Sequence, residues 1–214
     1  MNEISIPVNN EEVKGFLNLV NPEKLVIFAH GSGSSRLSKR NQFVASILNQ
    51  ANISTLLFDL LTPEEDKVDA YTREFRFDIE LLADRLELVT EVIHKIEECE
   101  KINQNTKIGY FGASTGAAAA LIAAAKLGDR ISAVVSRGGR PDLAGDYLDK
   151  VKAPTLLIVG GLDLQVIELN KFAFEKVNCK KELDIIPGAS HLFEEPGTLE
   201  IAAESSKSWF LEYL

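Results

Sequence analysis

The 214-residue chain predicts an α/β protein: a mostly parallel sheet of eight strands (six at the least) with helices on both faces. Three observations carry this. Leu25-Val26-Ile27-Phe28-Ala29 is a continuous apolar run, the pattern of a strand buried on both sides. Strand-like and helix-like segments then alternate to the end of the chain. Between one such strand and its helix lies Gly112-Ala113-Ser114-Thr115-Gly116, a G-x-S-x-G pattern. A hydrophobic content of 45% fits one core and a single domain over residues 1–214.

Ile4–Val8 alternates up to the turn signal Asn9-Asn10, and Val13–Val20 is a second short strand, so the chain starts with an edge hairpin. Asn21-Pro22 breaks the chain before the apolar strand Leu25–Ala29, which runs into the small-residue loop His30-Gly31-Ser32-Gly33-Ser34-Ser35. Asn41–Gln50 has helical apolar spacing, Ser54–Leu61 is the next strand, and the polar stretch Glu64–Thr72 predicts a loop. Apolar residues at steps of three and four predict one long amphipathic helix over Phe77–Ile102, with acidic residues on its solvated face. The strand Lys107–Phe111 leads into the G-x-S-x-G turn and an alanine-rich helix that stops at Gly128. Strands follow at Ile131–Val135, Thr155–Val159 and Glu182–Ile186. Asp142–Lys150 is a short helix at most, and Val166–Val177 and Leu199–Tyr213 are helices. No repeat, low-complexity tract or linker interrupts this order.

In a parallel sheet, reactive groups collect at the carboxyl ends of the strands. Ser114 ends one strand, Asp163 follows a later one after Gly160-Gly161, and His191 follows the last after Pro187-Gly188. The pattern assigns Ser114 as nucleophile, His191 as the base that takes its proton, and Asp163 as the group that orients the imidazole. Backbone N–H groups of Thr115 and of the Gly31–Gly33 loop, with Ser32 at its centre, are the expected oxyanion donors. Asp59, Asp142 and Asp146 are rivals for the acid. His30 is a rival base expected to have a structural role, and His94 is expected to be an exposed structural histidine.

A net charge of −9 argues against nucleic-acid binding. No apolar run nears the roughly 18 residues of a membrane span. The amino terminus shows no basic-then-apolar leader pattern, so a cytoplasmic location is expected. Cys99 and Cys179 lie 80 residues apart in no metal or redox motif and are expected to be reduced structural thiols. Neither phosphate-loop pattern is present, and no metal site is expected.

The segments His30-Gly31-Ser32-Gly33-Ser34, Gly112-Ala113-Ser114-Thr115-Gly116, Ser136-Arg137-Gly138-Gly139-Arg140-Pro141 and His191-Leu192-Phe193-Glu194 resemble the dienelactone hydrolase-like group of α/β-hydrolases. The resemblance runs from about Pro7 to the end of the chain. It implies the α/β-hydrolase fold, a triad of Ser114, Asp163 and His191, and an intracellular, cofactor-free hydrolase acting on an ester or similar bond. The family's dienelactone hydrolases carry cysteine where this chain has Ser114, so the resemblance does not carry the dienelactone substrate over to this chain.

Lids in such folds often lie between the strands that here end near Gly139 and begin near Thr155. About 15 residues separate them, so no large lid is expected. An open site of that kind suits a small soluble ester. Gly31, Gly33, Arg36, Arg137 and Arg140 are the candidate substrate-binding residues, the arginines for a carboxylate or phosphate. The alternative for the arginines is pairing with nearby aspartates to fix the loops. The alternative for the whole chain is a non-catalytic binding or accessory protein on the same fold.

Overall fold

The computed structural model describes residues 2–214, so Met1 lies outside the description. Eight strands form one sheet in the order β1-β2-β4-β3-β5-β6-β7-β8. They are β1 (Asn2–Val8), β2 (Glu11–Asn18), β3 (Lys24–Ala29), β4 (Ser54–Phe58), β5 (Lys107–Ala113), β6 (Ile131–Arg137), β7 (Thr155–Gly160) and β8 (Lys181–Ile186). β1 and β2 pair antiparallel, as does β2 with β4, and the other pairings are parallel.

Six α-helices accompany the sheet: α1 (Lys39–Gln50), α2 (Pro63–Thr72), α3 (Ile79–Val92), α4 (Thr115–Leu127), α5 (Leu164–Lys176) and α6 (Thr198–Tyr213). The parallel strands are apolar on both faces, so each face needs its own cover. Val26 and Phe28 of β3, Phe111 of β5 and Val135 of β6 pack with α1 and α6. Their strand neighbours Ile27, Tyr110 and Val134 pack on the other face with α3 and α4. α4 is buried from Thr115 to Ala124. A helix this apolar all round fits only between other elements, and its alanines let it lie close to the sheet.

Two segments differ from the sequence expectation. Glu64–Thr72 belongs to helix α2. A capping box supports its start: Thr62 Oγ1 accepts the Glu65 N–H, Glu65 accepts the Thr62 N–H, and Pro63 occupies the first turn. The amphipathic stretch Phe77–Ile102 is not one helix. Phe75–Phe77 forms a 3-10 turn, α3 ends at Val92, and two more 3-10 turns follow at Ile93–Lys95 and Glu97–Cys99. Ile96 between those two is extended (φ −85°, ψ 131°). Ile93, Ile96 and Cys99 stay buried through the break, so the apolar spacing persists although the helix does not.

Between β6 and β7 the chain makes only the 3-10 segment Pro141–Lys150. No helix among the described residues is long and apolar enough to cross a membrane, and no group of three or more metal-ligating side chains occurs among them. Cys99 and Cys179 are free thiols.

Candidate active site

Ser114 stands between β5 and α4 with φ 51° and ψ −122°. Positive φ in a residue with a side chain is a strained conformation, costing on the order of 1–3 kcal/mol. The chain holds it because its neighbours are glycines. A Cβ on Gly112 would stand 2.4 Å from Ala117 Cα, and one on Gly116 would stand 2.3 Å from the Ala29 carbonyl oxygen. Strand, turn and helix therefore meet at backbone distance. The Ser114 N–H donates to the Arg137 carbonyl (3.3 Å), and the Arg140 N–H donates to the Ser114 carbonyl (3.0 Å), tying the elbow to the end of β6.

His191 and Asp163 arrive from the adjoining strand ends. Ser114 Oγ lies 3.4 Å from His191 Nε2. His191 Nδ1 lies 2.6 Å from Asp163 Oδ2. A carboxylate at that distance fixes the tautomer: Nδ1 carries the proton, and Nε2 is left to accept from the serine. The His191 loop is held by Glu195, which accepts the Ser190 N–H at 2.9 Å; this bond keeps its carboxyl below the usual carboxylate range.

His30 is only 8% exposed, and burial lowers its pKa from 6.5. Its Nε2 accepts the Leu60 N–H (3.0 Å), and its Nδ1 faces the Gly31 carbonyl (2.9 Å). Both nitrogens are engaged, which makes His30 a neutral pin between the glycine loop and the end of β4. Asp59 accepts from the Arg36 backbone and guanidinium. His94 is exposed.

The expected oxyanion donors are differently placed. The Thr115 N–H belongs to the first turn of α4, where no intrahelical acceptor exists. The Ser32 N–H donates to Thr115 Oγ1 at 2.8 Å. That bond locks the glycine loop to the elbow, but in this arrangement it occupies the Ser32 donor. Gly31 packs against Ser114, since a Cβ there would stand 3.0 Å from Ser114 Cβ.

A cavity of about 680 Å³ opens beside the glycine loop; Gly31, Ser32, Gly33, Arg36, Asp59 and Arg76 are among its walls, whereas Ser114 and His191 are not, so it adjoins the elbow only through Gly31 and Ser32. Arg36 reaches it already paired with Asp59 and with Glu3 (3.2 Å). Arg76, which sequence reasoning did not single out, pairs with Asp69 (2.5 Å). Its only sequence signal is an aspartate seven residues earlier.

The other two candidate arginines do not line this cavity. Arg140 holds Asp142 bidentately, at 2.9 and 2.8 Å. Arg137 alternates with Val135 on β6 and so shares the sheet face of α1 and α6. There it is 6% exposed and lies 5.4 Å from the centre of the Phe193 ring.

A mostly parallel sheet with a strained serine elbow at a strand end defines the α/β-hydrolase class. Within that class the chain belongs to the dienelactone hydrolase family, whose model matches residues 38–214. A crystal structure of dienelactone hydrolase from Anabaena variabilis is 52% identical, with a TM-score of 0.94 over 100% of this chain and 97% of that one. Est1E from Butyrivibrio proteoclasticus has the same fold at 20% identity, with a TM-score of 0.80 over 100% of this chain and 99% of that one. A curated relative from Mycobacterium tuberculosis, named "Putative phosphoribosyl transferase", is 52% identical over 99% of this chain. The match covers 46% of the relative, so the chain spans about half its length.

Proposed function

We propose that the chain is a serine hydrolase that cleaves an ester-type bond of a small soluble substrate through an acyl-enzyme on Ser114. The observation that carries this reading is the continuous Ser114–His191–Asp163 contact, 3.4 Å and then 2.6 Å. As substrate binds, His191 Nε2 takes the Ser114 proton while Oγ attacks the carbonyl carbon. The imidazolium, held by Asp163, returns that proton to the leaving alcohol, and water repeats the sequence on the acyl-enzyme. The 3.4 Å separation is loose for proton transfer, as it commonly is before substrate binds. The Thr115 N–H supports the oxyanion.

The substrate reading follows from charge. Arg36 and Arg76 enter the cavity with their carboxylates already beside them. Serine hydroxyls and paired charges suit a neutral, hydroxyl-bearing group better than a free anion. Exposed Leu162 and Leu192, next to Asp163 and His191, offer an apolar edge for a short acyl chain. Phosphoribosyl transfer belongs to the name of a relative of which this chain matches less than half, and the Ser114 arrangement supports hydrolysis.

Labelling with a fluorophosphonate probe tests the reading. Folded wild type should label and Ser114→Ala should not; an unlabelled wild type points to a binding protein on the same fold.

A further inference from the structure

Arg137 is a buried cation for which the hydrolytic reading has no use. Its Nε and Nη1 are fully buried and have no hydrogen-bond partner. Among the described residues no carboxylate lies within ion-pair distance of it, whereas the other arginines that line the cavity or flank the elbow each have at least one. Burial, with Arg40 nearby, pushes its pKa down to about 10. The guanidinium still carries its charge at neutral pH, so folding removes a cation from water and sets another beside it. Such an arrangement is costly unless something supplies negative charge and acceptors.

What surrounds Arg137 favours an anion. Arg40 stands in the first turn of α1 and reaches Glu194 at 3.3 Å, one residue beyond the Phe193 ring that Arg137 faces. Glu194 pairs with Arg40 alone, and no carboxylate offsets the charge of Arg137. α1 is 12 residues long and has no acidic side chain in its first turn, so its dipole adds positive potential; Ser38 Oγ already accepts the Asn41 N–H, which leaves the Lys39 and Arg40 N–H groups uncapped. Asn41 of the same turn is 2% exposed, and its side-chain oxygen is also unpartnered. Its amide, turned about χ2, would present a donor instead.

We propose that Arg137, Arg40 and the amino terminus of α1 form a site for a small free oxyanion, phosphate or sulfate, beside the Phe193–Glu194 segment and distinct from the cavity at the Gly31–Gly33 loop. A nine-tenths buried guanidinium suits a compact tetrahedral anion, which it can grip bidentately, better than a bulky ligand. The site does not depend on the hydrolase reading: Ser114 meets Arg137 only through its backbone N–H, and neither guanidinium hydrogen-bonds the Ser114 or His191 side chain.

Thermal melting of the full chain in chloride buffer, with inorganic phosphate added at constant ionic strength, tests the proposal. At ten times the dissociation constant, phosphate should raise the midpoint by roughly 3–6 °C. Arg137→Met should lose that shift. Without phosphate it should melt no lower than wild type, because an apolar side chain removes an unpartnered charge. Arg40→Gln, at a partly exposed position, should weaken phosphate about tenfold and serves if Arg137→Met fails to fold. Ser114→Ala should keep the full shift. No phosphate effect on wild type, an undiminished shift in Arg137→Met, or unchanged affinity in Arg40→Gln overturns the site. Loss of the shift in Ser114→Ala would move the anion to the serine. Equal protection by glycerol phosphate would overturn the assignment of a free oxyanion.

Discussion

Replacing Asp163 by Asn isolates the orienting role of the carboxylate from every other feature of the site. The side chain contributes no cap to α5, although it stands at the position before the helix, so a near-isosteric amide removes no helix bond. What it removes is the 2.6 Å contact with His191 Nδ1. An asparagine amide can donate to Nδ1, which would place the imidazole proton on Nε2 and point it at Ser114. The base would then face the nucleophile with a proton in place of a lone pair. In a triad of this geometry that exchange costs about 10³–10⁴-fold in kcat, or roughly 4–5.5 kcal/mol of transition-state stabilisation. The assay is kcat/KM for a short-chain p-nitrophenyl ester, with a thermal melt of each protein alongside. The midpoint should move by no more than a degree or two, since the lost group is near the surface and helix α5 is intact. Activity of Asp163→Asn within tenfold of wild type, in a folded protein, would refute the assignment of Asp163.

Three further outcomes follow from the packing. Gly116→Ala places a Cβ 2.3 Å from the Ala29 carbonyl and 2.5 Å from that of His30, both backbone atoms that cannot move aside; a loss of about 3 kcal/mol, seen as a midpoint roughly 6–12 °C lower, is expected together with loss of turnover. Thr62→Ala breaks the capping box of α2 and should cost about 1 kcal/mol, read by chemical denaturation, with kcat unchanged. His30 has its folded pKa lowered by burial, so the unfolded chain binds the proton first. Its contribution is flat above the unfolded pKa of 6.5 and falls as the pH drops below it, approaching about 1.4 kcal/mol per pH unit; His30→Gln should remove that part of the acid-side slope in denaturation measured between about pH 7 and pH 5.

The parts of the site that were legible in the sequence are those written in local chemistry. Ser114, Asp163 and His191 each follow an apolar run and sit among small residues. Gly112 and Gly116 could be read as an elbow because the close approach they permit leaves no room for a side chain. Helix α2 was hidden for the opposite reason: Asp69 is its only buried residue, so no apolar stripe marks it. The Thr62-Pro63-Glu64-Glu65 cap was the signal available. The continued apolar spacing of Ile93, Ile96 and Cys99 conceals the end of α3, because side-chain burial does not require the backbone to remain helical. The arginines were the least legible. Arg36 finds Asp59 across 23 residues, Arg76 finds Asp69 across seven, and the strand alternation that turns Arg137 toward Phe193 sets a face of the sheet and names no partner. Ser32 was expected as an oxyanion donor, and its bond to Thr115 Oγ1 depends on side-chain geometry that a loop sequence does not encode.

The central claim is that Ser114 becomes covalently acylated during turnover. Rapid quenching after mixing with a p-nitrophenyl ester, followed by peptide mass spectrometry, measures it directly. The predicted result is a near-stoichiometric burst of nitrophenol with the acyl mass on the peptide containing Ser114, and neither in Ser114→Ala. Steady hydrolysis that persists in Ser114→Ala, with no acyl group on that peptide in wild type, would contradict the account.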